Sequence, residues 1–278
     1  MPEGHTLHRL ATALDAAFGG RKVRVSSPQG RFAADAAQLD GSLLVTAESA
    51  GKHLFVEFAG ERFVHVHLGL IGKFDVLPGP APLPVGQVRL RVQHETSYAD
   101  LRGATQCDLV GRDRRDAIVA SLGPDPLRPD ADPERAWSRI RASHRVLGDL
   151  LMDQNVLAGV GNVYRAEVLF RHRLDPQRPG RTLRRGQFDA LWHDLVELLA
   201  EGVRTGRIDT VRPEHTPESM GRPPRKDDHG GEVYVYRRTG QPCLVCGSRV
   251  RTVDLKGRNL FWCPHCQPRF RSRAVANV

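Results

Sequence analysis

Four cysteines near the C-terminus constrain this chain more than any other feature. They form two pairs, Cys243-Leu-Val-Cys246 and Cys263-Pro-His-Cys266, with sixteen residues between them. Each pair sits on a tight knuckle, so four sulfurs can close a tetrahedron around one Zn2+. Four cysteine ligands leave no open position, which makes such a zinc structural. Two disulfides or a redox dithiol pair are the alternatives, and an intracellular chain argues against disulfides. The intervening GSRVRTVDLKGRNLFW reads as two strands around a turn at Lys256-Gly257-Arg258-Asn259. A tip held rigid by zinc is well placed to bring Lys256 and Arg258 to phosphates. His265 reads as a bystander and Cys107 as a buried strand cysteine.

The intracellular reading comes from the other end. The chain opens MPEGHTLHRL, with Glu3 and His5 where the apolar run of a signal peptide would begin. No apolar run approaches ~20 residues, so nothing is expected to span a membrane, and the expected location is the cytoplasm. With 278 residues, 40% of them hydrophobic, the chain can build two compact domains and a small third. The net charge is +9 and the pI about 9.8. From Val233 onward nine Lys/Arg stand against Asp254 alone, +8 in 46 residues. Four zinc-bound thiolates return only two of those units. Such a module suits nucleic acid better than a small anion, the plain alternative being a solvated basic surface. Arginine outnumbers lysine 36 to 5, so each lysine is informative, Lys52 among them.

Periodicity divides the chain. Residues 1–125 begin with a helix through Leu7, Leu10, Ala11, Leu14 and Phe18, stopped by Gly19-Gly20. Seven short strand-like runs follow, from KVRVSS to TQCDLV, which predicts a β-sandwich. Residues 132–212 read as helices, Asp132 capping the first with Pro133 in its first turn. Residues 213–232 are polar, rich in Pro and Gly, and read as a mobile loop or linker. Residues 233–272 form the cysteine module.

Several smaller motifs have both a plain and a chemical reading. Pro2-Glu3 suits a helix start, where a missing N–H costs nothing and a carboxylate meets the helix dipole. Loss of Met1 would instead expose a secondary amine beside an acid. Lys52, after Gly51 in SAGKHLFVEF, is either a solvated edge lysine or a functional cation. In FVHVHLGLIGKF, Val64, Val66 and Leu68 share one face of a strand and His65 and His67 the other. With no third ligand nearby in sequence, sheet-face histidines are the expectation rather than a metal site. Leu70 and Ile71 in the following turn are core residues or wedges that enter a base stack. In DQNVLAGVGNVYRAEVLF, turns through Gly159 and Gly161 deliver Asn162 to a helix start as its N-cap. The free N–H groups there suit a phosphate, although an ordinary helical corner explains the pattern too.

Taken in order, Pro2-Glu3, Lys52 in GKHLF, HLGLIGKF, DQNVLAGVGNVYRAEVLF and the four-cysteine module resemble the formamidopyrimidine-DNA glycosylase and endonuclease VIII family of base-excision repair enzymes. The set spans nearly the whole chain. The resemblance implies an α+β multidomain fold: an N-terminal β-sandwich, a helix–two-turn–helix domain and a zinc-finger hairpin, with DNA in the cleft between. It implies a monomer acting on double-stranded DNA that carries damaged bases or abasic sites. The target nucleotide would be flipped out. The Pro2 amine would attack C1′, expel the base and form a Schiff base, with Glu3 as general acid/base. Elimination would then cut the strand on both sides of the sugar. Lys52 looks like the second catalytic cation, Asn162 and Arg258 like phosphate clamps, with Gly161 and Lys256 beside them, and Leu70 like the wedge. Neutral amine is the attacking species, so Pro2 must be the mature N-terminus; with Met1 attached its nitrogen is an amide.

The chain also departs from the family. Gly4-His5-Thr6 replaces the usual Leu-Pro-Glu or Gly-Pro-Glu. ADLRGATQC keeps Arg102, expected on the orphaned partner base, but lacks the phenylalanine of the purine branch. Leu70-Ile71 and Gly4 lean toward endonuclease VIII and oxidised pyrimidines; the long polar linker pulls toward the purine branch. A glycosylase for oxidised purines, a lyase acting only at abasic sites, and a non-catalytic zinc-containing nucleic-acid-binding protein remain as alternatives.

Overall fold

The structure is a computed structural model that describes residues 2–226 and 231–271. Residues 227–230 of the polar segment and the last residue assigned to the cysteine module, like Met1, lie outside the described residues. The chain divides into two compact units, Met1–Leu122 and Gly123–Val278.

The first unit runs α1 (Gly4–Phe18), β1 (Arg21–Lys22), β2 (Arg24–Ser26), α2 (Ala33–Leu39), β3 (Leu43–Ala50), β4 (His53–Phe58), β5 (Arg62–His67), β6 (Lys73–Pro78), β7 (Val88–His94), β8 (Ser97–Arg102), β9 (Gln106–Gly111) and α3 (Arg112–Ser121). Two antiparallel sheets form, in the orders β1-β3-β4-β5-β9 and β2-β7-β8-β6. Period-2 alternation decides which side chains meet between them. Leu54, Val56, Val64 and Val66 join Val25, Leu90, Val92, Ala99 and Leu101 in one core, closed by Leu7, Leu14 and Phe18 of α1. The expected β-sandwich is therefore present. Helix α1 packs on β3 and β4 of one sheet and β6 and β8 of the other, which fixes the start of the chain.

Two helices of this unit were not legible as periodic patterns. α2 is short and alanine-rich, and α3 buries none of its residues fully. α3 packs on β5 and β9 through partly covered side chains, with Arg112 over the Phe63 ring and Arg115 over Phe55.

The second unit contains α4 (Pro133–Arg141), α5 (Leu147–Leu150), α6 (Asn162–Arg171), α7 (Arg185–Thr205), α8 (Pro217–Met220) and a hairpin of β10 (Arg251–Asp254) and β11 (Asn259–Trp262). Asp132 caps α4 as expected, its Oδ1 accepting from Glu134 N at 3.0 Å, and Gly206 closes α7 at φ 75°. The stripe in HRVLGDLLMDQ yields only the single turn α5. The segment read as a mobile linker is ordered where described. Pro213–His215 is a 3-10 turn, Thr216 caps α8, and Arg222 and Arg225 bond Glu232. Polar contacts hold this segment, which explains why it shows no apolar period.

The cysteine module does not stand apart from the helices. Cys243, Val250, Phe261, Cys263 and Cys266 share one core with Val163, Tyr164, Leu195 and Leu199. Glu167 of α6, fully buried, ties down the segment that enters the module. Its carboxylate accepts from Tyr234 N, Val235 N and Tyr236 N at 2.6–2.9 Å and from Thr210 Oγ1 at 2.7 Å.

Candidate active site

The helix-start explanation of Pro2-Glu3 fits Glu3, the N-cap residue of α1 at the positive end of its dipole, but not Pro2. α1 begins at Gly4, so Pro2 lies outside its first turn, and the Glu3 side chain makes no capping hydrogen bond. Pro2 is half-buried, while Glu3 is fully buried, with 0% exposure, in extended backbone at the head of the helix. Withdrawing a carboxyl from water is costly. His5, in place of the family's proline, is buried within α1 with Nε2 3.3 Å from Thr6 Oγ1. Burial, aided by Arg9, pushes its pKa down to about 4, so the ring is neutral.

Lys52 occupies a two-residue turn, Gly51-Lys52, that joins β3 to β4 and is closed by the pair Ala50 and His53. Gly51 has φ +58°, a left-handed conformation suited to glycine. The next residue, His53, belongs to an aromatic stack that sequence reading missed. Its Nδ1 lies 2.8 Å from His65 Nε2, and its ring centroid is 5.1 Å from His65 and 5.2 Å from His67. His65 in turn stacks on Phe55 at 4.8 Å. The signal was present: pairing β4 with β5 sets His53 opposite the His65-x-His67 face. Burial lowers the pKa of His53 and His65 to about 4, and lowers that of His67, with Lys52 adding to the effect on His53 and His67.

Leu70 and Ile71 are not core residues. They are 61% and 80% exposed in the turn after β5. Gly69 at φ +70° precedes them, and a Cβ there would meet Thr105 Cγ2 at 2.4 Å, so glycine is needed for the chain to project outward. Arg102 is occupied within its own sheet. It pairs with Asp100 at 2.7 Å and Asp75 at 3.7 Å, and its Nε donates to Val85 O. Asp100 is also clasped by buried Arg91, at 2.6 and 2.7 Å.

In the second unit Gly161, not Asn162, is the N-cap of α6. The reason is that the Asn162 side chain is used elsewhere: Nδ2 donates to Asn259 O at 3.0 Å and Oδ1 accepts from buried Arg165. Arg165 also donates to Asn259 O and to Gly148 O, at 3.1 Å each. These bonds hold the first residue of β11, directly after the turn that carries Lys256 and Arg258. Lys256 and Gly257 both have positive φ, and Leu255 and Arg258 exchange backbone hydrogen bonds across them. That is a tight two-residue turn of the primed kind. Both cations are exposed, and Lys256 is paired with Asp149.

None of the four cysteines is in a disulfide. Their sulfurs lie within 4.8 Å of one another, with Cys243–Cys266 at 3.9 Å and Cys246–Cys263 at 3.5 Å. Zn–S bonds of ~2.3 Å in a tetrahedron set sulfurs about 3.8 Å apart, so the set fits one zinc ion. Cys266 N also points at Cys263 Sγ at 3.5 Å. Among the described residues this is the one His/Cys/Asp/Glu group disposed to hold a metal.

The N-terminal domain of formamidopyrimidine-DNA glycosylase matches residues 1–107, its H2TH domain residues 122–213, and the zinc finger found in FPG and IleRS residues 240–269. Endonuclease 8 1 of Mycobacterium tuberculosis is 54% identical over 271 residues, covering 96% of this chain and 100% of the relative. The chain belongs to the formamidopyrimidine-DNA glycosylase and endonuclease 8 family. As a member of this family it is a DNA glycosylase with abasic-site lyase activity and a structural zinc finger. A probable endonuclease 8 2 of Streptomyces coelicolor is 33% identical over 96% of this chain and 94% of the relative. The fold matches Lactococcus lactis Fpg, solved in complex with DNA containing an abasic site, with TM-score 0.79, 20% identity, and coverage of 96% of this chain and 100% of that one. No helix among the described residues is long and apolar enough to cross a membrane.

Proposed function

We propose that this family member removes oxidised bases, pyrimidines foremost, from double-stranded DNA, with the Pro2 amine as nucleophile. The amine attacks C1′ of the flipped nucleotide; the C1′–base bond breaks and the base leaves. The amine then holds the opened sugar as a Schiff base. Proton loss from the sugar and departure of the 3′ and then the 5′ phosphate complete β,δ-elimination. Glu3 supplies general acid/base help. Lys52 is the second cation, acting near phosphate and sugar oxygens. Asn162 and Arg258 hold phosphates, with Gly161 allowing close backbone approach. Leu70 fills the vacated stack. The zinc finger supplies rigidity and takes no part in the chemistry.

The observation that carries this reading is Glu3, a fully buried carboxyl at the head of α1 directly after Pro2. The pyrimidine preference rests on exposed Leu70-Ile71 and on Arg102, which is held by Asp100 and Asp75. The reading takes the chain as a monomer acting in the cytoplasm at the nucleoid, and the basic charge supports its association with DNA.

The test is borohydride trapping of the Met1-free chain on a duplex with one oxidised pyrimidine. A covalent adduct mapped to Pro2 supports base excision, the Schiff base and the nucleophile together. Trapping only on a plain abasic site keeps the lyase and overturns the substrate. Trapping on an oxidised-purine duplex alone moves the chain to the purine branch, and trapping on none leaves a binding protein.

A further inference from the structure

We infer that His53 and His65 are positioning residues for Lys52. This rests on Lys52 being the catalytic cation proposed above. Lys52 sits in a turn of only two residues, so its direction depends on the strand ends that close the turn. One of those ends is His53, and its ring is bonded sideways to the next strand through His65, Nδ1 to Nε2 at 2.8 Å. His65 is clamped on its far side by Phe55, at 4.8 Å with the rings only 12° from parallel. Arg115 of α3 lies over Phe55 and bonds Glu48 of β3, the cross-strand neighbour of Phe55. An unbroken series of contacts therefore runs from the covered face of the sheet to the residue after Lys52.

The choice of imidazole is informative. His65 is 2% exposed, and its Nδ1 makes no hydrogen bond among the described residues. Its side-chain hydrogen bonding is thus directed at His53. A phenylalanine would fill the same space without the desolvation cost of a polar ring. What imidazole adds is one directional bond, and that bond points at the Lys52 turn. Charged groups surrounding the pair are Lys52 itself, Glu48 of β3, Asp108 of β9, and Arg114 and Arg115 of α3. Burial keeps both rings neutral, so one donates and the other accepts.

The experiment uses full-length, zinc-loaded, Met1-free chains carrying His65→Phe, His65→Gln, Lys52→Ala, or Lys52→Ala together with His65→Phe. Single-turnover strand cleavage and DNA affinity are measured on an abasic duplex. His65→Phe keeps the ring stack and removes the bond; glutamine restores a polar group where Nε2 stood. His65→Phe should slow cleavage roughly tenfold or more through misplacement of Lys52, with affinity unchanged. His65→Gln should recover most of that loss. The double variant should be no slower than Lys52→Ala alone, the non-additivity expected when one residue acts through another. A slow Lys52→Ala beside a wild-type rate for His65→Phe overturns the inference alone. So does a fully additive double variant, or glutamine no better than phenylalanine. A wild-type rate for Lys52→Ala overturns the Lys52 reading and the inference with it. If His65→Phe does not fold, half-exposed His53→Phe and His53→Asn give the same comparison, asparagine standing in for Nδ1.

Discussion

Lys256 Nζ lies 2.7 Å from Asp149 Oδ2, which joins the tip of the zinc-finger hairpin to α5. Asp149 also accepts from Arg145 Nε at 2.7 Å, so one carboxylate serves two cations and its pKa is held below the usual range, by Arg145 first. Arg258, at the end of the same turn, has no such tether among the described residues and is exposed.

This asymmetry separates the two cations in a salt titration. Arg258→Ala should weaken DNA binding across sequences and reduce the slope of log K against log salt by about 1. Lys256→Ala should leave the slope nearly unchanged and cost about 0–1 kcal/mol of stability, as an exposed pair does. A slope unchanged from wild type in Arg258→Ala would remove the phosphate role from Arg258.

Glu167 supplies a prediction about stability. Its two oxygens meet three backbone N–H groups and one hydroxyl in a fully buried site. Glu167→Gln turns one acceptor into a donor that faces donors. The expected loss is about 3–5 kcal/mol, read as a fall in the urea midpoint. A midpoint within the error of wild type would show that the clamp carries little.

Zinc removal should reach beyond the finger. Because Cys243, Cys263 and Cys266 pack with α6 and α7, Cys263→Ser or chelation should raise amide exchange in those helices as well as lower DNA affinity. Amides of the β-sandwich should be unaffected. Full activity with no bound zinc would refute the ligand assignment.

The buried histidines set a pH window. His5, His53 and His65 have folded pKa values near 4, below the ordinary 6.5, because burial disfavours the charged ring. In that range the unfolded chain binds more protons than the folded one. Their contribution is fully present above pH 6.5 and is lost as the pH falls toward 4. The denaturation midpoint should drop across that interval, and His65→Phe should flatten the drop.

Leu70→Ala should change stability by no more than about 0.5 kcal/mol, because the side chain is already in water. Base excision from duplex DNA should fall, while cleavage of a single-stranded abasic site, where no stack needs filling, should change less. Equal losses on both substrates would argue against the wedge.

What the sequence revealed depended on distance along the chain. Alternation in RFVHVHL placed Val64 and Val66 of β5, and Leu68 just after it, on the core face correctly, because that face is written every second residue. The cysteine spacing identified the zinc ligands, because the knuckles are local. Long-range use of a side chain was not legible. Asn162 looked like a helix cap, yet it bonds Asn259, 97 positions away. His53 was hidden beside Lys52 because its partner lies on another strand, and α3 was hidden because it buries no residue fully.

The shared core around Cys263 has a consequence for descent. A zinc finger whose cysteines pack among Val163, Leu195 and Leu199 cannot be exchanged like a bead on a string. A recombination joint near residue 232 would cut through that core and strip Glu167 of its three amide partners. A joint near Leu122–Gly123 would leave both compact units whole. In this chain a transplanted finger would have to bring, or find, an apolar surface equivalent to that of α6 and α7.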